Sequence, residues 1–416
     1  MSIKHLLAES TTSSSSVQGR PHLVSLTRVT TQLVYTGLVS TQRTSQPTAL
    51  LYGVKYLNEN GDINGLTGAQ FTGAISHKEQ QKLKRFPAEK NFSKDELFVV
   101  NEEYVYKALV DNPFNGYTED EILQATMADK IRIVCEGAET EYYEQGNLPD
   151  STLKLDTWKA EVRTRKLKSE VSVEAAQDLE ANGFDAPATI EDLLATQIAE
   201  DINKEIIQTM INVSSKFKAK GRTPNGILDL SQQKDSNHIG KQLYQYVCEI
   251  NGEIQNNTSF GGTWVLASAR VAGLLAGSGY LRPEPPETSH YGCSGVLLNG
   301  MFLYVDPNAP IEYLIVGVKE NYGDLEAISS LVYSPYTEGM DLDSEEHVGQ
   351  FKVITDPSSL QPKIMLLVRY ALSVNPYTQR KNSTDRVNQD SMDQLTGRSL
   401  MSVILGVKLP ELEILQ

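Results

Sequence analysis

The chain has 416 residues, of which 40% are hydrophobic and 22% are charged, and its formal net charge is −15 with a pI near 5.0. This composition is ordinary for a folded globular protein. The length exceeds what one compact core holds, so we expect two or three lobes. The acidic balance excludes general binding to nucleic acids or anionic membranes. A protein that merely encloses DNA would gain from the repulsion.

Three cysteines, Cys135, Cys248 and Cys293, are widely separated in the sequence. They predict neither a disulfide framework nor a paired metal site, which indicates synthesis in a reducing cytoplasm. Cys248 lies beside Val247 in a helical pattern and is predicted to be buried. No run approaches the roughly 20 apolar residues of a membrane span, and residues 1–9 lack the pattern of a secretory signal. We therefore expect no membrane partner.

The N-terminus begins with a short amphipathic head, residues 1–9. A Ser/Thr tract, residues 10–16, follows and has little apolar surface to bury. No catalytic scaffold needs so long and polar an opening. The order of these segments predicts a removable head in front of an N-terminal arm, residues 10–50, that reaches a neighbouring subunit.

A candidate protease site lies between Glu9 and Ser10. The tripeptide Leu7-Ala8-Glu9 consists of an aliphatic residue, any residue and then Glu. Other matches to this short pattern lie inside a helical pattern or at the C-terminal tail. Glu9 alone stands before a tract that cannot resist a protease by folding.

Residues 24–57 alternate polar and apolar side chains, which is typical of extended or strand-like structure. Asn60-Gly61 is the strongest local hairpin signal that follows. Residues 60–150 are polar, contain glycine and show little periodicity. We therefore predict an extended β-hairpin loop with a small inserted module over residues 51–157.

Residues 158–168 alternate basic and apolar side chains, which predicts a strand with a solvated basic face. The basic residues are Lys159, Arg163, Arg165, Lys166 and Lys168. They could contact nucleic acid, but only Trp158 supplies an aromatic side chain nearby, and the net charge opposes such contact. An interface or a solvated strand face is the favoured interpretation.

The strongest helical pattern covers residues 190–218. Apolar side chains recur at helical spacing from Ile190 to Met210. Thr189 is the predicted N-cap and Gly221 the predicted stop. At 1.5 Å per residue the helix would be about 40 Å long. This length suits the spine of a domain better than the wall of a catalytic site.

Helical and strand patterns alternate after residue 225. A helix is predicted over residues 240–256, and Ser268 is predicted to cap a second helix from 269 to 278. Buried strands are predicted at residues 264–267, 303–305, 314–318, 364–368 and 400–409, and a polar surface loop at residues 378–398. The pattern predicts an α+β protein with one long helix.

The densest acidic cluster comprises Asp341, Asp343, Glu345, Glu346 and His347. It could bind a divalent metal, but it fails the calcium-loop pattern, and a solvated loop is favoured. No two histidines fall within ligand spacing, and no Walker sequence occurs, so neither a metal nor a cofactor is predicted. The sequence supports no active site. A cytosolic metal-dependent hydrolase that uses these acids is the alternative from another class.

Nearly the whole chain resembles the family of capsid vertex proteins of T-even-type tailed bacteriophages. The matching segments are residues 6–12, 19–21, 40–44, 52–58, 165–168, 176–187, 335–339, 346–349 and 367–373. The resemblance implies a Hong Kong 97-type capsid fold. Its expected parts are a cleaved propeptide (1–9), an N-terminal arm (10–50), an extended hairpin loop with a small inserted β domain (51–157), a peripheral domain with the spine helix (158–255), an axial domain (256–370) and C-terminal return strands (371–416).

The resemblance also implies a structural role in the virion. Five copies would form each pentameric vertex among hexamers of the related major capsid protein, after assembly on a prohead scaffold core. The prohead maturation protease would trim the chain after Glu9, recognising Leu7 and Ala8 and leaving Ser10 as the new N-terminus. Two alternatives share the fold: the hexamer-forming major capsid protein, which has a much longer leader, and an encapsulating nanocompartment protein, which would assemble alone.

Overall fold

The computed structural model describes residues 35–44, 46–57, 82–100, 104–118, 120–134, 144, 152–170, 172–174, 177, 186–219, 221–223, 225–233, 235–258, 260–283, 292–322, 326–336, 350–355, 362–375 and 396–411. The helices are α1 (Tyr35–Leu38), α2 (Asp120–Met127), α3 (Ala186–Val213), α4 (Ser236–Thr258) and α5 (Ala269–Gly277). The first strands are β1 (Ser40–Thr41), β2 (Thr48–Leu57), β3 (Lys84–Phe86), β4 (Leu97–Val100), β5 (Tyr104–Ala108), β6 (Ile131–Ile133), β7 (Thr152–Glu161), β8 (Arg163–Glu170), β9 (Ser214–Lys216) and β10 (Ile227–Asp229). The later strands are β11 (Trp264–Ser268), β12 (Leu281–Arg282), β13 (Cys293–Leu297), β14 (Phe302–Asp306), β15 (Tyr313–Gly317), β16 (Lys319–Tyr322), β17 (Glu326–Ser329), β18 (Leu331–Pro335), β19 (Gln350–Thr355), β20 (Pro362–Val374) and β21 (Ser399–Lys408).

The larger sheet has eight strands in the order β10-β21-β15-β11-β14-β13-β12, with β9 also paired to β21. Every residue of β11 and β15 is buried, as expected for strands covered on both faces. On one face, Val265 and Leu314 pack in the same core as α4 and α5. On the other face, Leu266 and Tyr313 pack in the core that contains α3. The architecture mixes helices and strands, which agrees with the α+β class predicted from the sequence.

The second sheet is built around the long strand β20. This strand pairs antiparallel with β18, β19 and β8, and β1 is added in parallel to β18. Ile364, Leu366 and Tyr370 on β20 belong to the same core as α3 and β11. The long helix therefore packs against both sheets and joins them through one apolar core.

A two-stranded antiparallel ribbon, β2 paired with β7, leaves this second sheet. Its ten residue pairs run from the base, where Thr48 faces Glu161, to the far end, where Leu57 faces Thr152. At about 3.3 Å per residue the ribbon is roughly 30 Å long. Only Val162 separates β7 from β8, so the chain passes almost directly from the ribbon into the five-stranded sheet.

A small module, residues 82–134, lies between the two ribbon strands in sequence. It contains the sheet β3-β4-β5-β6 and helix α2. Its separate core is rich in aromatic rings: Phe86, Phe92, Phe98 and Phe114. A module with its own core can keep its fold independently of the ribbon strands that flank it in sequence. The predicted turn at Asn60-Gly61 falls outside the described residues.

The long helix α3 buries its predicted apolar face but has different ends. Residues from Ile190 to Met210 at four-residue spacing are buried. The helix ends at Val213 instead of residue 218, because the next three residues form β9 beside β21 and thereby satisfy their backbone groups. Thr189 is not the N-cap, since α3 already begins at Ala186.

The remaining predicted helices and strands are found within the described residues, whereas most of the predicted loop at residues 378–398 lies outside them. Helix α4 extends beyond its predicted segment at both ends, and α5 matches its predicted segment to within one residue. The predicted strands fall in β11, β14, β15, β20 and β21; β20 extends six residues beyond its predicted C-terminal end, and the other ends differ by at most two residues. Ser268 is the N-cap residue of α5 as predicted, but its hydroxyl makes no capping bond because it donates to the Glu312 carboxylate. No described helix is long and apolar enough to cross a membrane.

Candidate functional site

Most residues singled out in the sequence for a function lie outside the described part of the chain. They are Leu7, Ala8, Glu9 and Ser10, the acidic cluster at residues 341–347 and residues 378–395. Their roles stay predictions. Among the residues that the structure describes, no group of three His, Cys, Asp or Glu side chains could hold a metal ion.

The predicted burial of Cys248 is wrong, because the thiol is exposed. Helix α4 turns Leu243, Val247 and Ile250 toward the eight-stranded sheet. Cys248 follows Val247 by one residue, or about 100° around the helix, and so lies off the buried face. The Nδ2 atom of Asn299 lies 4.0 Å from the sulfur. Cys248 is not among the buried residues of the core that α4 shares with the eight-stranded sheet.

The base of the ribbon rests on the five-stranded sheet through small side chains. Ala49, Leu51 and Ala160 of the ribbon form a core cluster with Val332 and Ala371 of the sheet. Two alanines in the ribbon allow its backbone to lie close to the strands beneath, so the position of the base is set by packing. The ribbon is thus fixed at one end.

A polar junction lies beside this base and consists of Arg165, Glu205 and Tyr370. Arg165 on β8 donates through Nη2 to Oε2 of Glu205 on α3 at 2.5 Å, and through Nε to the Tyr370 hydroxyl on β20 at 2.6 Å. The Tyr370 hydroxyl in turn donates to the same carboxylate. Three elements that are distant in sequence are therefore tied together through one carboxylate.

The junction keeps its charges. Burial alone would raise the pKa of Glu205, but hydrogen bonds from Tyr370 and Arg165 together outweigh burial and lower it. Burial would likewise lower the pKa of Arg165, and its bonds to Glu205 and Tyr370 raise it instead. Burial and the bond to Glu205 raise the pKa of Tyr370 to about 12. These three side chains hold β8, α3 and β20 together, and none of them gains or loses a proton near neutral pH.

In strand β8, the prediction of a solvated basic face is wrong for Arg165. Lys166 and Lys168 are exposed as expected, and Arg163 is 79% exposed. Arg165 instead points toward α3 on the same side of β8 as Arg163 and Leu167, because strand residues two apart share a face. The Nη1 atom of the more exposed Arg163 lies 3.9 Å from Oε1 of Glu205. Because Arg165 lies two residues before the apolar Leu167, the sequence already indicated that both side chains face the same side of the strand. Neither Glu205 nor Tyr370 carries a comparable signal.

A second contact region, which we call the strap (residues 35–44, 46 and 47), precedes the ribbon. Its helix α1 places Gly37 against the side chain of Tyr304 on β14. Leu38 and Val39 are buried in the core that contains α3. Strand β1 then joins the five-stranded sheet. The alternating pattern of residues 24–57 suggested extended structure here and did not indicate α1.

Comparisons with known proteins find similarity to phage capsid proteins along almost the whole chain. The profile of the family described as "Major capsid protein Gp23" matches residues 16–407. The capsid vertex proteins of Escherichia phage AR1 and Enterobacteria phage T4 are each 45% identical over 422 residues, which cover 99% of this chain and 98% of each relative.

More distant similarities were also found. The major capsid protein of Enterobacteria phage T4 is 28% identical over 248 residues, covering 54% of this chain and 45% of that protein. A solved structure from Mycobacterium phage Bobi aligns over 95% of each chain, with 9% sequence identity and a TM-score of 0.44. The sequence similarity is therefore much stronger to the vertex proteins than to the major capsid protein.

Proposed function

Because the chain belongs to the Gp23 capsid family and, within it, to the capsid vertex proteins of T4-type phages, we propose that five copies form each pentameric vertex of a tailed-phage head. The chain is a component of the phage capsid. The observation that carries the proposal is the 45% identity along 99% of the chain to vertex proteins, against 28% along 54% to a major capsid protein.

The ribbon supports a role in an assembly. A two-stranded ribbon of ten residue pairs is marginally stable alone in water. Its base is anchored on the five-stranded sheet through the cluster around Ala371. A neighbouring subunit that covers the ribbon would supply the missing burial. Head-to-tail contacts of this kind close into rings when the rotation between subunits permits.

We assign the parts of a Hong Kong 97-type fold to the chain accordingly. The arm comprises residues 10–50, the hairpin loop with its inserted domain residues 51–157, the peripheral domain residues 158–255, the axial domain residues 256–370 and the return strands residues 371–416. Strand β20 runs through residue 370 without a break. The last boundary therefore divides one strand, and the two final parts share the five-stranded sheet.

The proposed partners are other copies of the chain, hexamers of the major capsid protein, the prohead scaffold core and the maturation protease. The chain would be made in the host cytoplasm and retained at the vertices of the virion. The net charge of −15 repels phosphate. The assembled protein would therefore enclose DNA without sequence-specific binding, and it needs no catalytic group, metal or cofactor.

We propose that maturation removes residues 1–9 by cleavage between Glu9 and Ser10. This segment contains one Lys and one Glu, so its removal leaves the formal charge unchanged. Trimming would act by deleting an amphipathic tether to the inner scaffold core, which frees the arm.

Mass spectrometry of the chain from mature heads tests the cleavage. A Glu9→Ala variant should stay full-length. A Glu200→Ala variant, which alters the match Ile198-Ala199-Glu200 inside α3, should be cut as the unaltered chain is. Trimming of the Glu9→Ala chain at its original position would show that the assigned site is wrong. If the uncut chain still gives normally matured heads, the tether idea is wrong although the site is correct.

Electron microscopy of heads tests the location at the vertices. An antibody against residues 378–398 should label only the corners of the head. Label spread over all faces would support the second candidate, the hexamer-forming role, which the match to the major capsid protein profile over residues 16–407 favours.

A metal titration followed by thermal shift tests the acids at 341–347. A clear shift would favour the hydrolase alternative.

A further inference from the structure

We propose that the strap, a described part of the proposed N-terminal arm, couples helix α1 to the ribbon, and that the contact of Gly37 with Tyr304 is the anchor on which this coupling depends. The strap runs from helix α1 to the start of β2, and its described residues touch both sheets and the ribbon. The inference concerns the fold of the single chain and does not rest on the proposed place at the vertex.

The anchor is a close approach that requires glycine. A Cβ atom built on Gly37 would overlap Oη and Cζ of Tyr304, and it would lie 2.9 Å from Cε1 of the same ring. Tyr304 is almost fully buried on the eight-stranded sheet and cannot move aside freely. Leu38 and Val39, the next two residues, are also buried. Any side chain at position 37 therefore forces α1 away from the sheet.

From the anchor the strap crosses to the five-stranded sheet. The Ser40 amide donates to the Ser329 hydroxyl at 3.1 Å. The amides of Gln42 and Thr44 donate to the carbonyl oxygens of Tyr333 and Pro335, each at 3.0 Å. Strand β1 itself has only two residues. Because so short a strand gains little from pairing alone, its attachment depends on the neighbouring anchor.

The same residues reach the base of the ribbon. The Gln42 side chain donates through Nε2 to the Leu50 carbonyl oxygen on β2 at 3.0 Å. The Thr44 hydroxyl bonds to the backbone of Gln46. The Pro47 carbonyl oxygen accepts a hydrogen bond from the Val162 amide at 3.1 Å. Val162 is the residue at which β7 leaves the ribbon and β8 enters the sheet.

The contacts therefore form one continuous series from Tyr304 to Val162. Release of Gly37 would remove the support for the amide bonds of Gln42 and Thr44. It would then loosen Pro47 and free the angle at which the ribbon leaves the sheet. Release of α1 would in this way change the position of a ribbon that begins at Thr48, eleven residues after Gly37.

Hydrogen exchange on the full chain tests the coupling, with mass spectrometric peptides that cover residues 40–47 and 159–165. In the Gly37→Ala variant we expect the amides of Gln42 and Thr44 to exchange at least tenfold faster, and the Val162 amide to follow them. A Tyr304→Leu substitution removes the ring that the new methyl group would strike. The double variant should therefore return all three amides to within threefold of the Tyr304→Leu variant.

Gly273→Ala is the matched control, since a Cβ there meets nothing within 4 Å, and it should leave these amides unchanged. Unaltered protection of Val162 while Gln42 and Thr44 lose theirs would overturn the coupling. Unaltered protection of all three amides would overturn the anchor. If Gly37→Ala does not fold, Gln42→Ala replaces it: at least threefold faster exchange of Val162 supports the coupling, and no change refutes it.

Discussion

Arg165 on β8 and Glu205 on α3 are joined by a hydrogen-bonded ion pair in which Nη2 lies 2.5 Å from Oε2. Their side chains are 34% and 23% exposed, respectively, so water screens this pair less than a surface pair. Because β8 continues the ribbon strand β7 beyond Val162, this ion pair connects the base of the ribbon to the long helix α3. The Tyr370 hydroxyl, which donates to Glu205, adds β20 to the same junction.

Replacement of Glu205 by Gln should destabilise the protein. The partly buried Arg165 guanidinium would lose its close charged partner and keep Asp201, whose Oδ2 lies 3.7 Å from Nη1. We expect a loss of about 1.5–3 kcal/mol in the free energy of unfolding. Urea titration followed by circular dichroism measures this loss. Glu200→Gln on the same helix is the control and should change the free energy by less than about 0.5 kcal/mol. Equal effects of the two substitutions would refute the role of the junction.

The junction should also make stability depend on pH in the acid range. The pKa of Glu205 in the folded chain lies below its ordinary value of 4.5. The stability that the Glu205 carboxylate contributes is therefore complete above the pKa that this group has in the unfolded chain. It is lost as the pH falls through the lower pKa that the group has in the folded chain. Unfolding free energies measured from pH 7 down to pH 3 should fall more steeply for the unaltered chain than for Glu205→Gln. Parallel curves would contradict the expectation.

Two glycines of α4 should respond oppositely to alanine. A Cβ on Gly240 would strike the Leu274 carbonyl oxygen of α5, whereas a Cβ on Gly252 would meet nothing within 4 Å. We expect Gly240→Ala to cost about 1–3 kcal/mol through overpacking. Gly252→Ala should stabilise the helix by about 0.5–1 kcal/mol. Thermal unfolding of both variants measures the difference, and a stabilising Gly240→Ala would show that α4 and α5 are not so closely packed.

Cys248 should be a reactive surface thiol without a structural role. Its exposure predicts rapid modification by a maleimide, and faster modification than that of the half-exposed Cys293. Cys248→Ser should abolish the fast reaction and change the free energy of unfolding by less than about 0.5 kcal/mol. Peptide mapping after brief labelling identifies the modified residue. Slow labelling at this position would mean that the thiol is covered.

Local patterns of the sequence determined much of the architecture. The apolar stripe from Ile190 to Met210 is a helical periodicity, and it identifies both α3 and its buried face. Likewise, short apolar runs identify β11 and β15 as buried strands. These patterns are readable because each depends on residues only a few positions apart. The same helical periodicity should have predicted that Cys248 is exposed, because this residue lies on the polar side of its own helix.

Only the tertiary structure decided where α3 ends and what its polar residues contact. The helix stops at Val213 because β21, almost 190 residues later, offers a backbone partner to Ser214 and its neighbours. Arg165 finds its carboxylate 40 residues away, and Gly37 is required by the ring of Tyr304. Hydrogen bonding and steric fit act over a few ångströms between segments that folding brings together, so no local pattern encodes them.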